Sequence, residues 1–376
     1  MGLRLGPARR VSALRVVVAM DSFKGSLGSA AAGAAVRLGV LDAAPGAEVR
    51  VVPLADGGEG TVEALTDGAG GAAVETDTVD ALGRPLRAAY VVLPDGTAVV
   101  EAARTIGLGG LAVVDDTVPA RASSAGLGRQ LRQALAAGPG LVLVGLGGSA
   151  TTDGGTGLLR ALGADLRGGD EGNPLWSFAS LDASTLPDLS RVVVLSDVTN
   201  PMTGSSGAAR VFGAQKGATP AQVEHLDRML VRWAGALAGA GRAVADLPGA
   251  GAAGGLGGAF LACGATLRPG FEEVARRSGL AEAVAGADLV LTGEGSLDHQ
   301  TAMGKGPAGV ARLGHDAGAL VVGLGGRVDR PAPDPFDAVF AIHAEPRGLA
   351  EALDPALTGA ELRATAREVV GLLVRR

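Results

Sequence analysis

Cysteine is almost missing from this chain. Cys263 stands alone among 376 residues, so no intramolecular disulfide can form and a reducing, cytoplasmic setting is expected. It lies in the apolar run Phe260-Leu261-Ala262-Cys263 and reads as buried filler rather than as a nucleophile. Aromatic residues make up only 3% of the chain, so cores must be built from Val, Leu, Ala and Gly. The four histidines, His225, His299, His315 and His343, have no ligand spacing, which argues against a structural zinc centre; His225 reads as a solvated helix residue. No long basic run is present and the net charge is −6, which argues against nucleic acid as a partner. The basic stretch 1–10 is not followed by an apolar segment and cleavage site, so no secretory signal is expected. Residues 247–267 are uncharged and long enough to span a bilayer, but seven of them are glycine. That composition favours packed turns over a helix in lipid, and a soluble protein without membrane contacts is expected.

Lysine is the most telling scarcity. Of 33 Lys and Arg only three are Lys, and each precedes a glycine: Lys24-Gly25, Lys216-Gly217 and Lys305-Gly306. Arg is a broad planar fork, whereas Lys is a compact point charge that can reach an anion inside a tight loop. A neighbouring glycine lets backbone N–H groups approach the same anion. The three positions point to phosphate or carboxylate binding. No Walker A sequence accompanies them, because Lys305 is followed by Gly, and no protein-kinase H-R-D or D-F-G set exists.

A 376-residue chain with 47% hydrophobic residues is long enough for two cores. Continuous apolar runs predict buried strands over 15–20, 49–53, 141–144, 191–195, 288–291, 319–322 and 338–342. Ala/Leu-rich stretches between them predict helices, for example over 29–41 and 220–238, the latter with Thr219 as N-cap and Pro220 at its first position. This alternation is the βαβ signature of a parallel sheet. Residues 74–104 break the rhythm with an alternating pattern and two turns, Gly83-Arg84-Pro85 and Pro94-Asp95-Gly96, and predict a β-hairpin region. The expected architecture is α/β with two domains. A Rossmann/flavodoxin-like parallel-sheet domain (1–62 plus 282–376) receives an inserted α/β domain (63–281) with the hairpin region, and the active site is expected in the cleft between them.

Functional residues in open α/β sheets lie beyond the carboxyl ends of strands. After the first strand comes Asp21-Ser22-Phe23-Lys24-Gly25-Ser26, leading into a helix whose N-terminal amides could share an anion with Lys24. After the second comes Asp56-Gly57-Gly58-Glu59-Gly60-Thr61; this is either a ligand-binding pair of carboxylates or an acidic turn with Thr61 capping the next helix. Gly145, Gly147 and Ala150 fit the G-x-G-x-x-A dinucleotide pattern, with Asp165 at the distance of a ribose-binding acid. The same segment continues Gly148-Ser149-Ala150-Thr151-Thr152-Asp153, hydroxyls suited to phosphate or polyol contacts. Asp197, with Asn200-Pro201 behind it, is placed as a proton acceptor or metal-water ligand. The glycines of 249–257 promise exposed amides before a helix. The exits Val144-Gly-Leu-Gly-Gly-Ser149 and Val322-Gly-Leu-Gly-Gly-Arg327 echo each other as two binding loops at strand ends, and Thr292-Gly293-Glu294-Gly295 opens a further loop that leads to Asp298 and Lys305.

These segments in order, together with Gln215-Lys216-Gly217-Ala218 and Pro248-Gly-Ala-Gly-Ala-Ala-Gly-Gly255, resemble the bacterial type-I glycerate kinases over 15–327. Ala214 departs from the Pro expected before Gln215, and Arg121-Ala122-Ser123-Ser124 matches an expected Thr/Ser-Gly stretch only loosely. The resemblance implies phosphorylation of D-glycerate by ATP with Mg²⁺, at the 2-hydroxyl in preference to the 3-hydroxyl. Phosphoryl transfer needs cations on the phosphates and a carboxylate to orient the attacking hydroxyl. On this reading Asp197, Lys24 and Lys305 are catalytic. Asp21, Ser22, Ser149, Thr151, Asp153, Asn200 and Lys216 bind substrate. Gly147, Gly148, Gly251, Gly254, Gly255, Glu294 and Asp298 hold nucleotide, and Asp197, Asp56 and Glu59 hold metal. Which lysine meets which anion stays open, and Lys→Arg is expected to cost more at Lys24 and Lys305 than at Lys216. A nicotinamide-dependent dehydrogenase built on Gly145 and Gly147, or an anion-sensing module, are the alternatives.

Overall fold

The computed structural model describes residues 13–169, 172–298, 306–329 and 334–374. In chain order the strands are β1 (Arg15–Met20), β2 (Glu48–Val51), β3 (Ala72–Val79), β4 (Pro85–Val92), β5 (Ala98–Glu101), β6 (Val142–Gly145) and β7 (Asp165–Arg167). They continue with β8 (Ser180–Asp182), β9 (Val192–Leu195), β10 (Thr266–Arg268), β11 (Leu289–Leu297), β12 (Leu320–Val328) and β13 (Ala338–Ala341). The chain forms two compact α/β units, 1–54 with 278–376, and 55–277.

The first unit is a five-stranded, fully parallel sheet in the order β13-β12-β11-β1-β2. Read from β2, this is the flavodoxin-like order 2-1-3-4-5, whose direction reverses between β1 and β11; ligands bind beyond the strand ends at such a switch point. Val16, Val18 and Met20 point to one face and pack with Val36 and Val40 of the helix Ser29–Ala43. The C-terminal helix Pro355–Val374 contributes Leu362 and Ala366 to the same core. Arg363 ties the two helices together with a two-pronged bond to Asp42 (2.6 and 2.9 Å).

The second unit holds a six-stranded sheet in the order β10-β9-β6-β5-β4-β3. The expected hairpin region is its antiparallel edge: β3 pairs with β4 and β4 with β5, while β5, β6, β9 and β10 run parallel. Alternate residues explain the unbroken apolar runs. Val142, Val144, Val192 and Val194 enter one core with Leu127, Leu131, Trp233 and Phe260, while Leu143, Val193 and Leu195 enter the opposite one with Val62, Leu65 and Val274. Val, Leu and Ala dominate both cores, as the shortage of aromatics requires. The helix Pro220–Gly239 opens with the expected Thr219 cap and Pro220, and Gln222 completes a capping box.

Several expectations are corrected. β11 and β12 do not stop at 291 and 322 but pair on to Leu297 and Val328, so Thr292–Gly295 and Val322–Arg327 are strand rather than loop. Glycine is the reason: a Cβ on Gly293 would lie 1.9 Å from the Leu324 carbonyl oxygen, so the two backbones can lie side by side only without one. In the 249–257 stretch Ala253, Gly254 and Gly255 are left-handed (φ 51°, 72° and 94°), so a buried kink comes first and the regular helix follows over 256–262. His225 is not simply solvated; its ring packs on Trp176 at 4.5 Å and its Nε2 meets the Trp176 carbonyl. Cys263 is buried filler as expected, and desolvation pushes its thiol up to about 12. Among the described residues no helix is long and apolar enough to cross a membrane.

Candidate active site

In the second unit the parallel strands end together. Glu101 of β5, Gly145 of β6, Leu195 of β9 and Arg268 of β10 stand in one row across the sheet. Beyond this row the chain segments pack backbone against backbone. The Gly147 amide donates to the Gly57 carbonyl (3.0 Å), and a Cβ on Gly147 would lie 2.3 Å from the Gly58 Cα. Gly57, at φ +85°, presses on the Leu195 carbonyl, where a Cβ would come within 2.6 Å. The 56–60 loop is therefore seated on the ends of β6 and β9, and only glycine fits at the contact.

Three sequence candidates meet on this edge. Asp56 is partly buried and its Oδ1 accepts the Gly58 amide at 2.9 Å; Glu59 is exposed. Asp197, two residues past β9, accepts the Gly270 amide on Oδ1 at 2.9 Å. Gly270 touches Asp56 as well, since a Cβ there would lie 2.0 Å from the Asp56 carbonyl oxygen, so one glycine separates the two acidic residues. Among the described residues no group of three His, Cys, Asp or Glu side chains is arranged to hold a metal, and Asp56, Glu59 and Asp197 form no such trio. Asn200 is committed locally, its side-chain amide donating to the Ser206 carbonyl and its own carbonyl accepting the Gly251 amide.

The 145–153 segment leads to a buried polar hub. Lys216 is 5% exposed and its Nζ donates to the Thr151 carbonyl (2.6 Å) and to Ser149 Oγ (3.3 Å). Burial pushes its ammonium down to about 8, and the negative charge of Asp153 opposes that shift. Asp153 is fully buried and accepts four bonds, from the Ser124 amide and hydroxyl (2.7 Å each) and from the Gly155 and Gly157 amides (3.0 and 3.2 Å). Burial raises its carboxyl and these bonds pull it back. Trp233 locks the same turn through Nε1 to the Gly154 carbonyl (2.9 Å). The hydroxyls of Thr151 and Thr152 are buried here without hydrogen-bond partners. Gly254 packs onto this segment; a Cβ there would lie 2.1 Å from the Thr151 carbonyl oxygen. Of the glycines expected to offer amides here, Gly251 and Gly255 donate theirs to the Asn200 and Gly251 carbonyls.

In the first unit, Asp21 and Ser22 follow β1, and the Asp21 amide donates to the Gly293 carbonyl of β11 at 2.8 Å. Asp21 and the partly buried Glu294 thus stand at the β1/β11 switch point, with Glu294 in register with Gly325. Lys24 is exposed at the tip of a tight turn closed by the Ser26 and Leu27 amides on the Phe23 carbonyl. The turn is braced from behind, because Ser26 Oγ meets the buried Thr358 Oγ1 of the C-terminal helix at 2.7 Å. Gly306 approaches the Asp21 carboxylate, and Asp298 is bonded by Ser296 Oγ at 3.3 Å. Lys305 lies outside the described residues.

Two further residues were not singled out in the sequence. Glu101 caps the helix Thr61–Ala69, accepting the Gly60 and Val62 amides at 3.2 and 3.1 Å; the Thr61 hydroxyl, expected to cap, instead donates back to the Gly58 carbonyl. Ser124 anchors Asp153. A lone acid closing the apolar run Ala98-Val99-Val100-Glu101 was the available signal for the first; Ser124 was visible only as the end of the 121–124 stretch, a loose match to the Thr/Ser-Gly stretch expected there. The dinucleotide reading fails on geometry. No helix opens at Ala150, the next one beginning at Thr156, and Asp165 sits exposed on the small β7–β8 ribbon.

The chain is similar to known proteins over nearly its whole length. The glycerate kinase family profile matches residues 16–374. The glycerate kinase of Bacillus subtilis (strain 168) is 39% identical over 344 residues, 88% of this chain and 90% of the relative. The glycerate 2-kinase of Escherichia coli (strain K12) is also 39% identical, with the same coverage. A crystal structure from Salmonella typhimurium LT2, provisionally assigned as glycerate kinase 2, superposes with a TM-score of 0.80 at 40% identity, over 97% of this chain and 99% of that one.

Proposed function

Since the chain belongs to the glycerate kinase family, we propose that it transfers the γ-phosphoryl group of ATP to D-glycerate, with the 2-hydroxyl as acceptor. The preference for the 2-hydroxyl is supported by the likeness to the Escherichia coli glycerate 2-kinase, and the type-I subgroup by the resemblance of the motifs quoted in the sequence. The single buried cysteine fits a cytoplasmic enzyme.

The observation that supports the chemistry best is the placing of Asp197 and Asp56 on either side of Gly270 at the strand ends, with Lys216 bonded to the 149–151 segment that leads away from β6. Asp197 is held by the Gly270 amide through Oδ1, which leaves the carboxylate oriented to take the proton of the acceptor hydroxyl as its oxygen attacks the γ-phosphorus. The P–O bond to ADP breaks, and the phosphate ester forms. Lys216 supplies positive charge at the 149–151 turn. Asp153 acts through that turn rather than by touching substrate, because all four of its partners are protein groups. Lys24, at its exposed tip, and Lys305 are assigned to phosphate or carboxylate neutralisation, with Asp21, Ser22, Glu294 and Asp298 contributing polar contacts. Gly147 and Gly148 bring the backbone close to the nucleotide.

A magnesium ion needs only one or two carboxylates besides substrate phosphates and water. Asp197 and Asp56, on either side of Gly270, fit that requirement better than a trio including the exposed Glu59. When bound, the ion would neutralise charge on the phosphate oxygens.

The test is ADP release by purified protein given ATP, Mg²⁺ and D-glycerate. Release that requires glycerate supports the reading. ADP release indifferent to glycerate, or none, would remove it.

A further inference from the structure

Glu101 has no part in the reaction as described so far, yet its setting is hard to account for as scaffolding. Its residue is 1% exposed, and the carboxylate sits at the positive end of the helix Thr61–Ala69, accepting the Gly60 and Val62 amides. Two charged groups face it. Arg104 Nε lies 3.7 Å from Oε2, and Glu63 on the capped helix draws the same Arg104 into its own ion pair. Burial, helped by the charge of Glu63, outweighs the amides and Arg104, and pushes the carboxyl up to about 7. A buried, half-neutralised acid is a poor source of stability. What the two amides give the molecule is position, since Gly60 ends the 56–60 loop that is seated on Gly147 and Leu195 and bears Asp56.

We propose that Glu101 is a positioning residue for phosphoryl transfer: by gripping the Gly60 and Val62 amides it fixes the 56–60 loop against the ends of β6 and β9. The proposal rests on the kinase reading above. The ionised carboxylate offers a strong acceptor to each amide; a protonated acid keeps one strong and one weak acceptor, and a glutamine offers one acceptor and turns a donor toward the other amide. The loop should therefore tighten, and turnover rise, as pH climbs through about 7.

The experiment compares wild type, Glu101→Gln and Glu101→Asp as full chains, measuring kcat and glycerate KM from pH 6 to 9, thermal stability, and amide hydrogen exchange at Gly60 and Val62. The expected result for Glu101→Gln is a kcat at least tenfold lower at pH 8. Its glycerate KM should stay within threefold, the acid limb near pH 7 should be missing, and both amides should exchange at least tenfold faster. Glu101→Asp keeps the charge but withdraws it by one methylene, and should lose kcat while keeping the limb. If Glu101→Gln does not fold, Glu101→Asp decides the matter. Wild-type kcat in a folded variant, or an unchanged acid limb in Glu101→Gln, overturns the proposal. Should wild type make no phosphorylated glycerate, the kinase reading fails by itself, and unchanged exchange at the two amides would still refute the clamp.

Discussion

The five residues Val-Gly-Leu-Gly-Gly occur twice, at 144–148 and 322–326, and the protein puts them to different uses. At the first copy β6 stops at Gly145, because its neighbours β5 and β9 end in the same row at Glu101 and Leu195 and no strand partner remains for the next residue. The backbone groups that follow must find other partners, and Gly147 bonds to Gly57. At the second copy β11 and β13 continue alongside, so the same residues stay in a ladder that pairs on to Val328. A glycine-rich strand exit is thus not a loop in itself. It bends where its neighbours end; Asp56 and Asp197 flank Gly270 at these strand ends, and Lys216 is bonded to the 149–151 segment that follows the bend.

The contrast implies that the chemistry belongs to the first copy. Its strongest test is Asp197→Asn, which should lower kcat by about 10²–10⁴-fold with a small change in KM, the range for loss of a positioned base. Steady-state kinetics on a variant with an unaltered circular dichroism spectrum would measure it, and near-normal turnover would separate the edge from the reaction. Next comes a matched pair of glycines. Gly147→Ala must displace the 56–60 loop, because the new methyl would lie 2.3 Å from a backbone atom, and should cut kcat/KM by about a hundredfold. Gly323→Ala meets only side-chain ends, at 3.1 to 3.2 Å, and should cost less than threefold in activity and about 1 kcal/mol in urea unfolding. Equal losses would dissolve the distinction between the copies.

What the sequence made legible follows the same division. The strand cores, the flavodoxin-like parallel sheet, the hairpin region and the Thr219 cap were readable because apolar runs and capping residues act locally. The ends of β11 and β12 were not, since where a strand stops depends on partners distant in the chain. The importance of Glu101 and Ser124 was hidden for a like reason. Glu101 reaches amides some forty residues upstream, and Ser124 an acid 29 residues downstream. Lysine scarcity did draw attention to Lys216, but only its burial shows what the residue does there.

That burial argues for a ranking of Lys216 above Lys24, unlike the one expected from the sequence. Lys216→Arg must fit a larger group into an enclosed site between Ser149 and Thr151 and should lose at least tenfold in kcat/KM, about 1.4 kcal/mol. Lys24→Arg, at an exposed tip, should lose less. The wild-type ammonium sheds its proton as pH rises through about 8, so activity should fall there. Lys216→Arg should lack that alkaline limb, because its guanidinium stays charged; an identical limb in both proteins would assign it to another group. The smallest effect concerns the brace behind Lys24. Thr358→Val removes the bond to Ser26 and should cost about 1 kcal/mol in stability and under threefold in kcat/KM, checked by thermal melting and kinetics.

The identity of the product tests the kinase reading most directly. After incubation of the enzyme with ATP, Mg²⁺ and ¹³C-labelled D-glycerate, NMR should show phosphorus coupled to C2, formed in step with ADP, and Asp197→Asn at the same concentration should form it at least a hundredfold more slowly. Phosphorus on C3 would overturn the assignment of the 2-hydroxyl. No phosphate ester of glycerate at all would contradict the account at its root.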